Sequence, residues 1–316
     1  MGREYRLLGG CCGESQYAGP KNYWTMDGMT ILRPMLVSAG SLRQDSDKYA
    51  FEVKWDGFRA LVRASPQRVT ITSRNGHDMT GRYPELQALR DAVSTSVLLD
   101  GEIVALGADS KPDFAALWFR SRESADPGGR LCFMAFDVLR LGELLIDRPY
   151  RERRRFLEDL SLSGPSWCVP DVHIGEGQAL FAATKAIGLE GVVAKRLDSR
   201  YQPGVRSRAW IKTKHFQERT FALLGWLPPG EWRADRGCVV LGLRSSDGIA
   251  MSGVVESGYG PDLTELLPRL KRQELRGLQQ PGCVWTGDSP LVGDVKFLEW
   301  SPAGGLRHAT LVSFSR

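Results

Sequence analysis

Short hydrophobic runs with a period of two dominate the chain between residues 49 and 214. Tyr49, Phe51 and Val53 mark the first run, and their spacing predicts a strand over residues 49–53. The same criterion predicts strands over residues 58–63, 68–72, 97–106, 131–139, 192–194 and 210–214. The strand over residues 97–106 is expected to break at Asp100-Gly101.

Three segments between these strands carry a helical pattern. The first begins at Pro84, a residue type favoured at the first helical position. The second covers residues 150–160 and is basic, and the third covers residues 178–187 and stops at Gly188, as glycine commonly ends helices. The apolar faces of the first two helices consist of Leu86, Leu89 and Val93 and of Phe156, Leu157 and Leu160.

The pattern changes after His215, where short strands dominate. They are predicted over residues 221–226, 238–243, 249–256 and 292–300, with a turn at Ser246-Asp247-Gly248 and a helix over residues 262–272 that contains Pro268. Several short strands and one helix are typical of an OB-type barrel. We therefore predict an α+β fold with a loose leader (residues 1–30), a first domain (residues 31–215) and an OB-fold domain (residues 216–316).

Composition adds little to this picture. The 316 residues suit two domains, and 42% hydrophobic with 25% charged residues is the balance of a globular protein. The chain lacks a long apolar run and a secretory leader, so a cytoplasmic location is expected. The six cysteines form no C-x-x-C pair, which disfavours a zinc site or a disulfide framework. A net charge of +5 suits a polyanionic partner without establishing one.

The segment Lys54-Trp55-Asp56-Gly57-Phe58-Arg59 directly follows a strand and has two interpretations. One is a charged turn, since Asp-Gly favours turns. The other is a lysine nucleophile, which must lose its proton to attack; for an unperturbed lysine this costs roughly 4 kcal/mol near neutral pH. Neighbouring cations lower that cost, and Arg59, Lys212 and Lys214 are the candidates.

Other polar residues also interrupt strands, and each has a structural alternative. Arg74 lies in a Ser-Arg-Asn-Gly turn, where it is placed to bind a phosphate or a hydroxyl. Asp100 and Glu102 are either solvated at the edge of a sheet or buried with a partner. Phe136, taken alone, is interpreted as a core residue. Lys212 and Lys214 share one face of a strand. Their two interpretations are a phosphate-binding site and a solvated basic edge strand.

Several common catalytic motifs are absent. The chain contains neither a phosphate-binding G-x-x-x-x-G-K-S/T loop nor a G-x-S-x-G nucleophile turn. Its four histidines have no metal-ligand spacing.

Taken in order, these segments resemble the covalent nucleotidyltransferase superfamily, and within it the ATP-dependent DNA ligases. From Pro34 onwards the chain is most similar to the ligase module of bacterial end-joining DNA ligases. The segments that carry the resemblance are EVKWDGFRA, SRNG, LDGEIVAL, EGVVAKR and VKFLEW. This likeness implies that the first domain is an adenylation (nucleotidyltransferase) domain, that ATP and Mg²⁺ or Mn²⁺ are used, and that nicked duplex DNA is the partner of a monomeric enzyme. An end-binding Ku protein is one candidate recruiting partner.

The resemblance also assigns roles by position. Lys54 would form the lysyl-AMP intermediate, and Phe136 would stack on adenine. Glu102 and Glu190 would assist a divalent metal, with Glu102 also near the ribose. The remaining nucleotide contacts would come from Glu52 at the adenine edge, Arg59 and Arg74 at the sugar and phosphates, and Lys212 and Lys214 at the α-phosphate.

The C-terminus departs from the family pattern. The basic motif that ends the barrel in the family lacks its usual Asp-Lys here, so Arg307 or Arg316 is expected to replace it. This departure puts self-adenylylation in doubt more than the later steps. The competing interpretations are an RNA ligase, a GTP-using capping enzyme, or a catalytically inactive nucleic-acid-binding module. An NAD-dependent ligase is disfavoured because that group carries additional zinc and helical domains.

Overall fold

The computed structural model describes residues 23–26, 29–43, 46–123, 129–227, 237–245, 248–256, 258, 284–285, 291–300 and 305–315. The helix predicted over residues 262–272, most of the turn at Ser246-Asp247-Gly248 and residues 1–22 of the predicted leader lie outside these ranges. Within the leader, residues 23–26 pair with residues 29–32 in an antiparallel hairpin.

The elements before residue 215 form two larger sheets, a separate two-stranded hairpin and three α-helices. In chain order they are β1 (Tyr23–Met26), β2 (Met29–Leu32), β3 (Leu36–Ala39), β4 (Tyr49–Val53), β5 (Phe58–Ser65), β6 (Arg68–Ser73), β7 (Val97–Leu106), α1 (Phe114–Glu123), β8 (Arg130–Leu141), β9 (Glu143–Leu144), α2 (Tyr150–Asp159), β10 (Trp167–Cys168), β11 (His173–Ile174), α3 (Gly177–Ala186), β12 (Gly191–Arg196) and β13 (Arg206–Lys214). Three 3-10 helices cover Ser46–Lys48, Thr80–Arg82 and Pro84–Ala92.

All seven strands predicted before residue 215 are confirmed, and β4 has the predicted bounds. The helix predicted from Pro84 is confirmed as a 3-10 helix, and Leu86, Leu89 and Val93 are buried as expected. The predicted break at Asp100-Gly101 is a bulge: β7 continues through it while its register against β8 shifts.

Two mixed sheets define the first part of the chain. One has the strand order β10-β8-β7-β5-β6, and the other has the order β11-β4-β12-β13-β3. A cluster of apolar residues from both sheets, which includes Leu61, Phe136 and Trp210, packs them together. The chain passes from β4 in one sheet to β5 in the other, so residues 54–57 lie where the sheets meet.

The segment after residue 215 is built of antiparallel strands. They are β14 (Gln217–Leu227), β15 (Cys238–Ser245), β16 (Gly248–Val255), β17 (Val284–Trp285), β18 (Val292–Phe297), β19 (Glu299–Trp300), β20 (Leu306–Arg307) and β21 (Thr310–Ser315). The main sheet has the order β16-β15-β14-β18-β21 and its own apolar core around Phe221, Leu241 and Val295. The predicted strands are confirmed, with residues 292–300 split in two, while the OB barrel stays a prediction.

In the described part of the chain, no helix combines the length and the apolar character needed to cross a bilayer.

Candidate active site

Most of the side chains singled out from the sequence line one cavity between the two sheets. Lys54 stands at its rim, one residue beyond β4, and its backbone N–H donates to the carbonyl of Gly191 at 2.9 Å. The predicted site residues that line this cavity are Glu52, Lys54, Arg59, Arg74, Glu102, Phe136 and Lys212. The structure thus brings together residues that are up to 160 positions apart in the chain.

The turn after Lys54 is held close to β7. A Cβ atom on Gly57 would lie 2.2 Å from the carbonyl oxygen of Ile103, so only glycine allows this approach. The interpretation of this segment as a turn is therefore correct as structure, and the cavity-facing Lys54 shows that it does not exclude a chemical role.

Glu190 joins two lysines at the rim. Its Oε1 lies 2.6 Å from Nζ of Lys214, and its Oε2 pairs with Nζ of Lys54. Burial would raise the pKa of Glu190, but the two ammonium groups hold it below its ordinary value. A carboxylate therefore neutralises Lys54 and Lys214, of which Lys214 belongs to the lysine pair for which the sequence suggested an anion.

Lys212 adds a third cation. Burial lowers the pKa of Lys212, and the nearby Lys214 and Lys54 lower it further. This repulsion would be relieved by a bound phosphate, whose oxygens accept hydrogen bonds from ammonium groups. The edge-strand alternative is wrong for this pair of lysines, because β13 lies between β12 and β3.

Of the two acids of β7, Asp100 is fully buried and Glu102 is partly buried beside the cavity. Because β7 lies between β8 and β5, the alternative of solvated edge positions is wrong. Asp100 accepts two hydrogen bonds from Arg59, from Nε to Oδ1 at 2.5 Å and from Nη2 to Oδ2 at 2.6 Å. It also accepts one from the hydroxyl of Tyr201 at 2.6 Å. Burial raises the pKa of Glu102 to about 7, against the opposing effect of Arg59 and Lys54.

Phe136 serves both as a core residue and as part of the cavity wall. Its ring meets Trp210 edge to face with centroids 6.3 Å apart, and the Arg59 guanidinium carbon lies 4.6 Å from its centroid. The cavity residues that the sequence did not predict include Lys195, Arg206 and Trp210. Lys195 lies inside the EGVVAKR segment, which was the available signal.

Arg307 connects the segment after residue 215 with the turn after Lys54. Its Nη1 lies 3.0 Å from Oδ2 of Asp56 and also donates a hydrogen bond to Glu299. Its guanidinium carbon lies 4.9 Å from the ring centroid of Phe114. Arg307, Lys54 and Glu190 all line a second cavity. Arg316, the other expected substitute, lies outside the described residues.

The cavity combines a lysine at a strand end, further cations and carboxylates, and an aromatic wall. This combination suits an enzyme that transfers nucleotides. Comparison with known proteins defines the family. The family model described as "ATP dependent DNA ligase domain" matches residues 34–214, and the chain belongs to this family.

Similar proteins agree with this assignment. The multifunctional non-homologous end joining DNA repair protein LigD of Mycobacterium tuberculosis (strain H37Rv) is 36% identical over 293 residues, which covers 88% of this chain and 38% of that protein. DNA ligase C1 of Mycolicibacterium smegmatis is 31% identical, covering 86% of this chain and 80% of that protein. A solved structure of mycobacterial DNA ligase D, complexed with ATP and MES, has 34% identity and a TM-score of 0.56, covering 90% of this chain and 94% of that chain.

Proposed function

We propose that this chain seals nicks in duplex DNA with ATP, through a covalent AMP carried on Lys54. The observation that supports this proposal most strongly is the position of Lys54 next to Lys212 and Glu190, at the rim of a cavity with an aromatic wall. In support, the chain belongs to the ATP-dependent DNA ligase domain family, and the similar mycobacterial ligase D binds ATP. The chain spans about two fifths of the LigD proteins it matches, so an end-joining role and a Ku partner are part of the proposal.

Different residues around the cavity would bind the base, attack the phosphate and stabilise its charge during nucleotide transfer. Adenine would stack on Phe136, which places the α-phosphate near Lys54 and Lys212. Lys54 would leave its pair with Glu190, lose its proton and attack the α-phosphorus, and pyrophosphate would leave. The cations stabilise the phosphoryl oxygens, which is the main requirement of phosphoryl transfer.

A divalent metal fits the carboxylates of this site. Glu102 and Glu190 present oxygen ligands, the type that Mg²⁺ and Mn²⁺ prefer, and both are close to the nucleophile. Such an ion supplies charge neutralisation on the phosphate oxygens. Within the described residues no cluster of three or more acidic, histidine or cysteine ligands is present.

The AMP would next pass to a broken strand. Lys54 lines both the nucleotide cavity and the second cavity, which is bounded by Trp300 and Arg307 of the C-terminal segment. A 5′-phosphate entering from that side would attack the lysyl-AMP, and the neighbouring 3′-hydroxyl would then displace AMP. We propose that the C-terminal segment is an OB barrel that covers the DNA during these steps.

DNA binding by this chain is expected to weaken steeply with salt. Phosphate contacts release counterions, so with several lysine and arginine contacts the affinity should fall roughly a hundredfold between about 50 and 200 mM salt. Fluorescence anisotropy with a nicked duplex measures this dependence. An affinity that hardly changes over this range would argue against phosphate-dominated binding.

Arg307→Ala is expected to slow formation of the lysyl-AMP adduct by roughly tenfold or more, since about 1.4 kcal/mol of transition-state stabilisation corresponds to tenfold in rate. The variant removes the ion pair with Asp56, the contact between the C-terminal segment and the nucleophile turn. Sealing of a nick that already carries AMP should be reduced less. Arg219→Ala, at an exposed arginine of β14, is the matched control; equal losses in both variants would contradict a specific role.

The activity is tested by sealing a nicked duplex with ATP, comparing DNA and RNA strands on each side of the nick. The proposal expects efficient sealing of DNA. Sealing that requires RNA on both strands would identify an RNA ligase. A GMP adduct in place of the AMP adduct would identify a capping-type enzyme.

A further inference from the structure

Three buried polar side chains meet beside the nucleotide cavity, and two of them, Glu52 and Lys195, line it. Glu52 belongs to β4, Lys195 to β12 and Tyr150 to α2, and they are 3%, 2% and 0% exposed. Nζ of Lys195 lies 2.8 Å from Oε1 of Glu52, and the Tyr150 hydroxyl donates to the same oxygen. The mechanism proposed above uses neither Tyr150 nor Lys195.

Tyr150 and Lys195 contact only one of the two carboxylate oxygens of Glu52 in these interactions. The hydrogen bond from Tyr150 and the 2.8 Å contact with Lys195 both fall on Oε1. Glu52 also lines the nucleotide cavity, so Oε2 remains able to accept a hydrogen bond there. Burial and the Glu52 charge hold the pKa of Tyr150 well above its ordinary value, so its hydroxyl keeps its proton and remains a donor.

Lys195 also fixes the aromatic wall. Its Nζ donates to the backbone carbonyl of Phe136 at 3.0 Å and lies 4.3 Å from the Phe136 ring centroid. One buried ammonium group therefore holds both the ring on which a base would stack and the carboxylate that would meet the edge of that base. This arrangement limits the rotation of a carboxylate whose terminal torsion is otherwise broad.

We propose that Tyr150 and Lys195 are positioning residues that direct Oε2 of Glu52 towards the base, and thereby set selectivity for a 6-aminopurine nucleotide over a 6-oxopurine nucleotide. The inference rests on the proposed function of this cavity. An ionised carboxylate only accepts hydrogen bonds, so it pairs with the 6-amino group of adenine and repels the 6-oxygen of guanine. Sites of this kind discriminate strongly, because the wrong partner leaves a buried polar group unpaired.

The test measures lysyl-nucleotide formation with labelled ATP and GTP for the unmodified chain, Tyr150→Phe and Lys195→Met. We expect the ratio of kcat/KM for ATP to that for GTP to fall at least about tenfold in each variant. Tyr201→Phe is the matched control, because Tyr201 is a buried tyrosine that donates to another carboxylate, Asp100. Its ratio should not change, even if its rate does.

The outcomes separate this inference from the proposed function. Adducts that form in both variants with an unchanged ratio would overturn the positioning role alone. Failure of the unmodified chain to form any adduct would overturn the proposed function, and this inference with it. Tyr150→Phe removes a single oxygen atom, so it decides the question even if Lys195→Met does not fold.

Discussion

Lys54→Ala is expected to abolish the covalent AMP adduct completely. The adduct needs an amine that reaches the α-phosphate, and Lys54 stands at the rim of the cavity where Phe136 and Lys212 would hold the nucleotide. Lys214 does not replace it, because Lys214 is not among the residues that line this cavity. The adduct is measured by retention of labelled AMP on the denatured protein.

A matched control makes this result specific. Lys48→Ala removes an exposed lysine that precedes β4, and it should leave the adduct intact. Lys54→Ala should also retain sealing of a nick that already carries AMP, since that step does not use the lysine amine. Labelled adduct in Lys54→Ala would refute the assignment of the nucleophile.

Arg153→Met is expected to reduce the free energy of unfolding by about 3–5 kcal/mol, because it leaves the buried carboxylate of Asp137 without its counter-ion. Both side chains are fully buried, and the guanidinium donates to both Asp137 oxygens at 2.9 Å. It also donates to the carbonyls of Arg148 and Ser199 at 2.6 and 3.1 Å. These contacts tie α2 to β8 and to the loop after β12.

Denaturant unfolding measures this loss. The control is Arg148→Met, since Arg148 forms exposed pairs with Glu143 and Glu152 at 3.7 Å, and such pairs contribute about 0–1 kcal/mol. A loss of less than about 1 kcal/mol in Arg153→Met would show that Asp137 finds another partner.

The sequence predicted the strands well because their periodicity is a local property. It also identified Lys54, Glu190 and Lys214, which the structure joins in one cluster. It did not predict which acids are buried. Alternation along β4 suggests one solvated face, yet the strand lies between β11 and β12 and both its faces are covered, so Glu52 is buried.

Contacts between distant segments explain the other omissions. Glu52 pairs with Lys195 across 143 positions, and no local pattern encodes that pairing. Likewise, Cys132 and Cys168 are scattered in the sequence, but the adjacent strands β8 and β10 bring their sulfur atoms to 3.9 Å. The sequence predicts a helix at Pro84 but not its type, because residues spaced by three, such as Leu86 and Leu89, align on a 3-10 helix as well as on an α-helix.

The central claim is that Lys54 carries AMP from ATP to the broken DNA strand. The most direct measurement charges the protein with labelled AMP, removes ATP, adds nicked duplex DNA and divalent metal, and follows both species in a single turnover. The account expects the protein-bound label to disappear as AMP-DNA and then sealed DNA appear, with one ligation for each adduct consumed. Label that stays on the protein while nicks are sealed would contradict the account.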